Sequence, residues 1–220
     1  LGKLGEDFRA TKDIDMVLIL EELQEDFVST FIRFVKEGGY EHIDKGSGET
    51  QFFRFSKPKD MSFPYMIELF SKKPDYLGSL ASRLGPIHIS DEVMSLSAIL
   101  LDDAYYDVVK SGITVVDDVS VLNIEHIVLF KMKAWLDLSE RKENGELIDS
   151  KTIRKHKNDI LRLSASFDKD MHLRVLGQVK ADAELFMEKI KNDSIDLKNL
   201  DIRNVTYEEL LNIIATCYGL

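Results

Sequence analysis

Three acidic residues in the first third of the chain have the type and spacing to bind a divalent cation. Asp13 and Asp15 are separated by one residue at the start of an apolar run, and alternate residues of a β-strand point to the same side. Glu68 is the only charged residue in a second apolar run, residues 64–70. Carboxylate oxygens suit Mg²⁺, and adjacent carboxylates repel each other unless a cation lies between them. The sequence therefore predicts a Mg²⁺ site on two neighbouring strands. A chance D-x-D triplet in an acidic protein is the alternative.

The elements that would position these acids follow from the periodicity of apolar residues. Strands are predicted at residues 13–20, 40–43, 51–55, 65–70, 97–101 and 113–116. Helices are predicted at residues 23–36, 104–110, 124–138, 151–167, 173–191 and 207–217, with Gly38-Gly39 ending the first of them. The predicted fold class is thus α/β (α+β), a mixed β-sheet with flanking helices in residues 1–122 and a helical domain in residues 123–220.

Composition limits the classes of function. The net charge of −10 and pI near 5.0 exclude a protein that coats nucleic acid. Cys217 is the single cysteine, so neither an internal disulfide nor a paired-cysteine metal site can form. The longest apolar run, residues 16–20, is far shorter than the ~20 residues that cross a bilayer. We therefore expect a soluble, cytoplasmic protein without a membrane partner.

A lysine on an apolar helix face indicates a second group of functional residues. In the helix predicted at residues 124–138, Lys131 lies near the centre of the apolar face. A buried ammonium needs an anion, because burial without one is costly. A triphosphate is one partner; an internal ion pair with a carboxylate at the core edge, or a lysine stem lying along apolar surface, are the others. Asp159 lies in the next predicted helix, in a charged stretch that is typical of a solvated helix face.

The charge distribution along the chain favours an anion site near these residues. Residues 131–157 contain eight basic and five acidic side chains, a net charge of +3, which leaves −13 for the remainder. We expect a local positive potential suited to a triphosphate or an RNA end.

Three stretches resemble a known family. Residues 9–15, R-A-T-K-D-I-D, followed at once by an apolar run, resemble the D-x-D signature of the nucleotidyltransferase superfamily, which has the fold of DNA polymerase beta. The closest resemblance is to bacterial AbiEii-type nucleotidyltransferases, where R-x-T-x-D-I-D is typical. Residues 131–134, K-M-K-A, look like that family's K-[LM]-x-A helix, and residues 155–163 look like its later motif with Asp159.

The resemblance implies Mg²⁺-dependent transfer of a nucleoside monophosphate from a nucleoside triphosphate to a hydroxyl group. Asp13 and Asp15 would bind the metal, while Glu68 would bind it and activate the acceptor. Lys131 would stabilise phosphate charge and Asp159 would orient Lys131 or engage the acceptor. The nucleotide-binding residues would be Arg9, Thr11, Lys131 and Lys157. An RNA or tRNA end or a protein would be the acceptor, in a toxin–antitoxin or phage-defence setting with an antitoxin protein as partner.

One part of the family pattern has no counterpart in the sequence. Superfamily members have a Gly-Gly or Gly-Ser turn before the D-x-D strand, whereas Gly2 and Gly5 are isolated. We expect the turn to precede Leu1, since the chain does not begin with methionine. The other interpretation is a degenerate nucleotidyltransferase-like module that binds a protein partner.

Overall fold

The structure is a computed structural model. It describes residues 13–19, 27–41, 54–72, 84–87, 96–168, 170–193 and 195–220. The chain forms two compact units, Leu1–Tyr106 and Asp107–Leu220. The predicted boundary between residues 122 and 123 marks the change from strands to helices along the chain, whereas the division between residues 106 and 107 separates two compact units. That boundary stays a prediction.

A mixed five-stranded sheet organises the first unit. Its strands are β1 (Asp13–Leu18), β2 (Arg54–Ser56), β3 (Met66–Lys72), β4 (Leu84–Ile87) and β5 (Leu96–Leu101). The order is β1-β3-β5-β4, and β2 pairs with the first residues of β3. The β1–β3 and β3–β5 pairs are parallel, whereas β2 and β4 each pair antiparallel. The predicted combination of helices with a mixed sheet is therefore confirmed.

One face of this sheet forms the core of the unit. Helix α1 (Phe27–Gly38) provides the crossover that a parallel β1–β3 pair requires. Its Phe31 packs with Ile67 and Leu69 of β3 in one buried cluster. Residues of β3 alternate between buried and half-buried, as expected when only one face is covered. The opposite face of β1 and β3 is consequently the more exposed one.

The end of α1 confirms the role predicted for the two glycines. The Gly39 N–H donates to Lys36 O at 3.1 Å and the Tyr40 N–H donates to Val35 O at 3.3 Å. This double closure places Gly39 at φ +63°, in the left-handed region. A Cβ on Gly38 would lie 2.6 Å from the Tyr40 ring. The first glycine therefore admits the ring and the second permits the turn.

Two strands within the described residues were missing from the prediction. The β4 sequence is Leu-Gly-Pro-Ile, which has the composition of a turn. Proline is tolerated there because β4, which pairs with β5, is the last strand in the order of the described strands and so lies at the edge of the sheet. The other missed strand is β7 (Val119–Leu122), which pairs with β6 (Ile113–Val116). Their two-residue turn is Asp117-Asp118, both at positive φ.

Helices dominate the second unit. Helix α2 (Asp103–Ser111) spans the division between the units, and α3 (Ile124–Glu143), α4 (Ser150–Ser164), α5 (Gly177–Ile190) and α6 (Tyr207–Tyr218) follow the hairpin. Helix α3 packs on α4 and α5, and α6 also packs on both. Asp149 caps α4, and Thr206 with Glu209 forms a capping box on α6. The predicted helices are confirmed, although α5 begins later, α3 ends later and α4 ends earlier than expected.

A buried histidine lies at the start of α3. His126 is 3% exposed, and a Cβ on Gly112 would lie 2.3 Å from its ring carbon Cγ. Neither ring nitrogen has a hydrogen-bond partner within the described residues. The Glu125 carboxylate lies 3.3 Å from Nδ1. Burial lowers the pKa of His126, and Glu125 opposes that shift.

We expect the stability of the protein to fall as pH decreases through about 6.5, the ordinary pKa of histidine. Because the pKa of His126 is lowered in the folded state, the unfolded chain binds protons more readily, so acid favours unfolding. Burial also lowers the pKa of His156, which acts in the same direction. Thermal unfolding between pH 8 and pH 5.5 measures this dependence.

The His126→Gln variant should show a weaker pH dependence, whereas His172→Gln, which alters an exposed histidine, should match the parent protein. An unchanged slope in His126→Gln would contradict the assignment.

Candidate functional site

The three predicted acids lie on the open face of the sheet. In the parallel β1–β3 pair, Asp15 is opposite Glu68 and Asp13 is opposite Met66. Since opposite residues point to the same side, Glu68 faces the same way as Asp15, and Asp13 joins them two residues earlier. The buried face carries Ile67 instead. Strand pairing thus brings the predicted carboxylates to one exposed surface.

Glu68 has a cationic neighbour that the sequence analysis did not identify. Its Oε1 accepts a hydrogen bond from Arg54 Nε at 2.5 Å and contacts an Arg54 Nη2 at 2.5 Å. Arg54 lies directly opposite Glu68 in the antiparallel β2–β3 pair. The Glu68 side chain is 15% exposed and that of Arg54 is 47% exposed. The guanidinium therefore neutralises the third acid of the predicted site.

The three acids have the donor atoms that Mg²⁺ requires, but their side chains are not arranged as a metal-binding group. Hard carboxylate oxygens on two adjacent strands are the donors that Mg²⁺ requires. Within the ranges that the structure describes, however, no three His, Cys, Asp or Glu side chains form a group that could hold a metal ion. The donors have the right type and share a face, while Glu68 is engaged by Arg54.

Lys131 and Asp159 form an ion pair in the second unit. Lys131 Nζ donates to Asp159 Oδ2 at 3.0 Å, joining α3 to α4. The side chains are 26% and 15% exposed. Arg162 Nη1 approaches the other carboxylate oxygen at 3.8 Å. The structure thus shows the internal ion pair that was one alternative for Lys131. Asp159 is its partner, the position that the family resemblance implies for a residue that orients Lys131. Their roles in catalysis stay predictions.

His156 is a further polar group beside this pair. Burial and then the Lys131 charge lower its pKa, and its Nδ1 is buried without a hydrogen-bond partner in the described part of the chain. The His156 imidazole consequently lies near the Lys131 ammonium, whose charge disfavours protonation of the ring. The i, i+3 spacing of His156 and Asp159 in α4 places these two side chains on one face of the helix.

Of the other three predicted nucleotide-binding residues, the structure describes only Lys157. Lys157 Nζ donates to Asp193 Oδ2 at 2.6 Å, so an internal carboxylate already holds this ammonium. Arg9 and Thr11 lie outside the described residues. Binding of a nucleotide by these three side chains remains a prediction.

The local positive charge is weaker than the segment count indicates. Several cations of residues 131–157 are paired with acids that follow the segment: Lys131 with Asp159, Lys133 with Asp182, and Lys157 with Asp193. A count along the chain cannot include these acids, because helix packing brings them in. The net charge of +3 therefore overstates the positive potential of this region.

The acidic face of the sheet and the lysine–aspartate pair belong to different compact units. None of the helices within the described ranges has the length and apolarity needed to cross a lipid bilayer. No protein-family model matches the chain, and no curated protein or solved structure is significantly similar to it.

Proposed function

We propose that the chain is a cytoplasmic Mg²⁺-dependent nucleotidyltransferase with a nucleotidyltransferase-like first unit. The observation that carries the proposal is the common face of Asp13, Asp15 and Glu68 on two paired parallel strands. Carboxylate oxygens from two neighbouring strands are the donors that a divalent cation such as Mg²⁺ takes. The Lys131–Asp159 pair adds a positioned ammonium of the type that stabilises phosphate charge.

The reaction would join an acceptor hydroxyl to the α-phosphorus of a nucleoside triphosphate. The acceptor oxygen forms the new P–O bond, the bond to pyrophosphate breaks, and the hydroxyl proton passes to a base. Glu68 is the base in this scheme, and Asp13 and Asp15 would hold Mg²⁺. When bound, Mg²⁺ supplies positive charge that offsets the phosphate oxygens. Lys131 would bind phosphate and Asp159 would keep its ammonium in place.

An RNA or tRNA end or a protein hydroxyl is the acceptor in this proposal, within a toxin–antitoxin or phage-defence pair.

A second function is favoured by the Arg54–Glu68 contact. An arginine held against the third acid gives the surface an internal counter-ion, as expected in a catalytically degenerate module. Such a module would act by binding a protein partner, such as an antitoxin, and would have no need of a metal.

The two functions are separated by a transfer assay. The chain is incubated with each labelled nucleoside triphosphate, total RNA and Mg²⁺, and label on RNA or on protein is measured. The enzyme predicts incorporation that is abolished by EDTA and restored by excess Mg²⁺. Label that never exceeds the no-protein control, with all four nucleotides and both acceptor classes, would favour the binding module.

The contribution of Lys131 is measured in the same assay. Lys131→Met should lower transfer at least tenfold, since one charge-assisted contact to phosphate contributes roughly 1.5 to 3 kcal/mol. Lys198→Met removes the same charge from an exposed position and should leave transfer unchanged.

A further inference from the structure

Arg54 lies where it must influence any cation bound by the acids of the open face. Arg54 Nε and Nη2 contact the same carboxylate oxygen of Glu68, Oε1. The position is set by strand register: β2 pairs with β3 so that Arg54 and Glu68 are directly opposite. A register shift of one residue would move the guanidinium to the buried face.

Glu68 is flanked by opposite charges on its two sides. Asp15 is its register partner in β1, and Arg54 is its partner in β2. Adjacent strands are about 4.8 Å apart, so a cation between Asp15 and Glu68 would lie within roughly 10 Å of the guanidinium. Two cations at that distance repel each other, and both would need the Glu68 carboxylate.

We propose that Arg54 is a positioning residue that competes with divalent metal for Glu68 and lowers the affinity of this face for the free ion. The inference builds on the proposed function, because it assigns the regulation of the same metal site. A metal ion that arrives already bound to a polyphosphate brings net negative charge, which Arg54 attracts rather than repels. The site would therefore select a metal–nucleotide complex over the free cation.

A purely structural cross-strand pair makes a different prediction. In that case Arg54 supports the β2–β3 pairing, so its removal lowers stability and does not raise the affinity for metal. Stability and metal affinity measured on the same variants separate the two roles.

The experiment measures Mn²⁺ binding to the full chain by electron paramagnetic resonance of the free ion, without nucleotide. Arg54→Gln should bind Mn²⁺ at least about fourfold more tightly than the parent protein, because removing one charge about 10 Å from a divalent ion changes its affinity by roughly that factor even in water. Arg54→Lys keeps the charge and should resemble the parent protein. Arg33→Gln makes the same charge change on an exposed position of α1 and should show no gain. Adding Glu68→Gln to Arg54→Gln should remove the gain.

Equal or weaker Mn²⁺ binding by a folded Arg54→Gln variant would overturn the inference, as would a gain that survives the loss of Glu68. Thermal unfolding shows whether each variant is folded. If Arg54→Gln does not fold, Arg54→Met is used in its place, because methionine keeps an apolar stem at this position. Failure of the proposed function gives a different result. If no transfer occurs while Arg54→Gln gains Mn²⁺ affinity through Glu68, the enzyme is excluded and the competition stands. If transfer occurs and the affinity is unchanged, only the role of Arg54 fails.

Discussion

Replacing Asp13 or Asp15 by asparagine is expected to lower nucleotidyl transfer by about a hundredfold or more, the usual result of removing a group that stabilises charge in the transition state. Asparagine nearly preserves the size of the side chain and removes its negative charge. The two acids precede the buried part of β1 and face the same side as Glu68. The loss should therefore arise from weaker metal binding rather than from a repacked core. Initial rates of label incorporation at several Mg²⁺ concentrations provide the measurement.

Asp107→Asn is the matched control, because it makes the same chemical change at an exposed position of α2. It should retain the parental rate. High Mg²⁺ concentrations should recover part of the activity of Asp13→Asn and Asp15→Asn if metal affinity is what they lose. Transfer that persists at the parental rate in both variants would exclude the carboxylate face as the site.

The largest effect on stability is expected for Phe186→Ala, which should lower the free energy of unfolding by about 4 kcal/mol. Phe186 is 0% exposed in α5, and its ring meets the Trp135 ring edge-on with centroids 5.2 Å apart. Alanine removes most of the buried side chain and leaves a cavity beside the indole. Equilibrium unfolding in urea measures the change, and a Phe186→Leu variant, which fills more of the space, should lose less.

The adjacent residue provides the comparison for Phe186. Leu185 is 47% exposed on the same helix, so Leu185→Ala should change stability by less than about 0.5 kcal/mol. Similar losses in the two alanine variants would mean that the α3–α5 packing is not as the structure has it.

The sequence predicted the fold best where the residues of a single helix are enough to define it. The helices of the second unit follow from apolar periodicity, and the end of α1 follows from Gly38-Gly39 because Gly39 adopts positive φ. The β4 strand could not be predicted in this way, since its Gly85-Pro86 pair is typical of a turn and is permitted only at the sheet edge. Edge position is a property of the assembled sheet.

The candidate site shows the same division between local and assembled properties. The D-x-D spacing is enough to place Asp13 and Asp15 on one side of a strand, and the apolar run around Glu68 indicates a second strand. Their shared face is a result of pairing, which the structure provides. Arg54 was not predicted because nothing local to residues 51–55 gives the register with β3. By contrast, an anionic partner for Lys131 could be anticipated, because a lysine on an apolar helix face needs one.

The order in which the second unit can fold during synthesis follows from a single hydrogen bond. The Tyr218 hydroxyl in the last turn of α6 donates to the Glu125 carbonyl in the first turn of α3, at 2.7 Å. Tyr218 is also 2% exposed, so its ring belongs to the core. A nascent chain can form α3 and α4 on the ribosome, but the start of α3 lacks this buried partner until α6 has emerged. This unit therefore becomes fully native only once α6 has been synthesised and its Tyr218 has reached the start of α3.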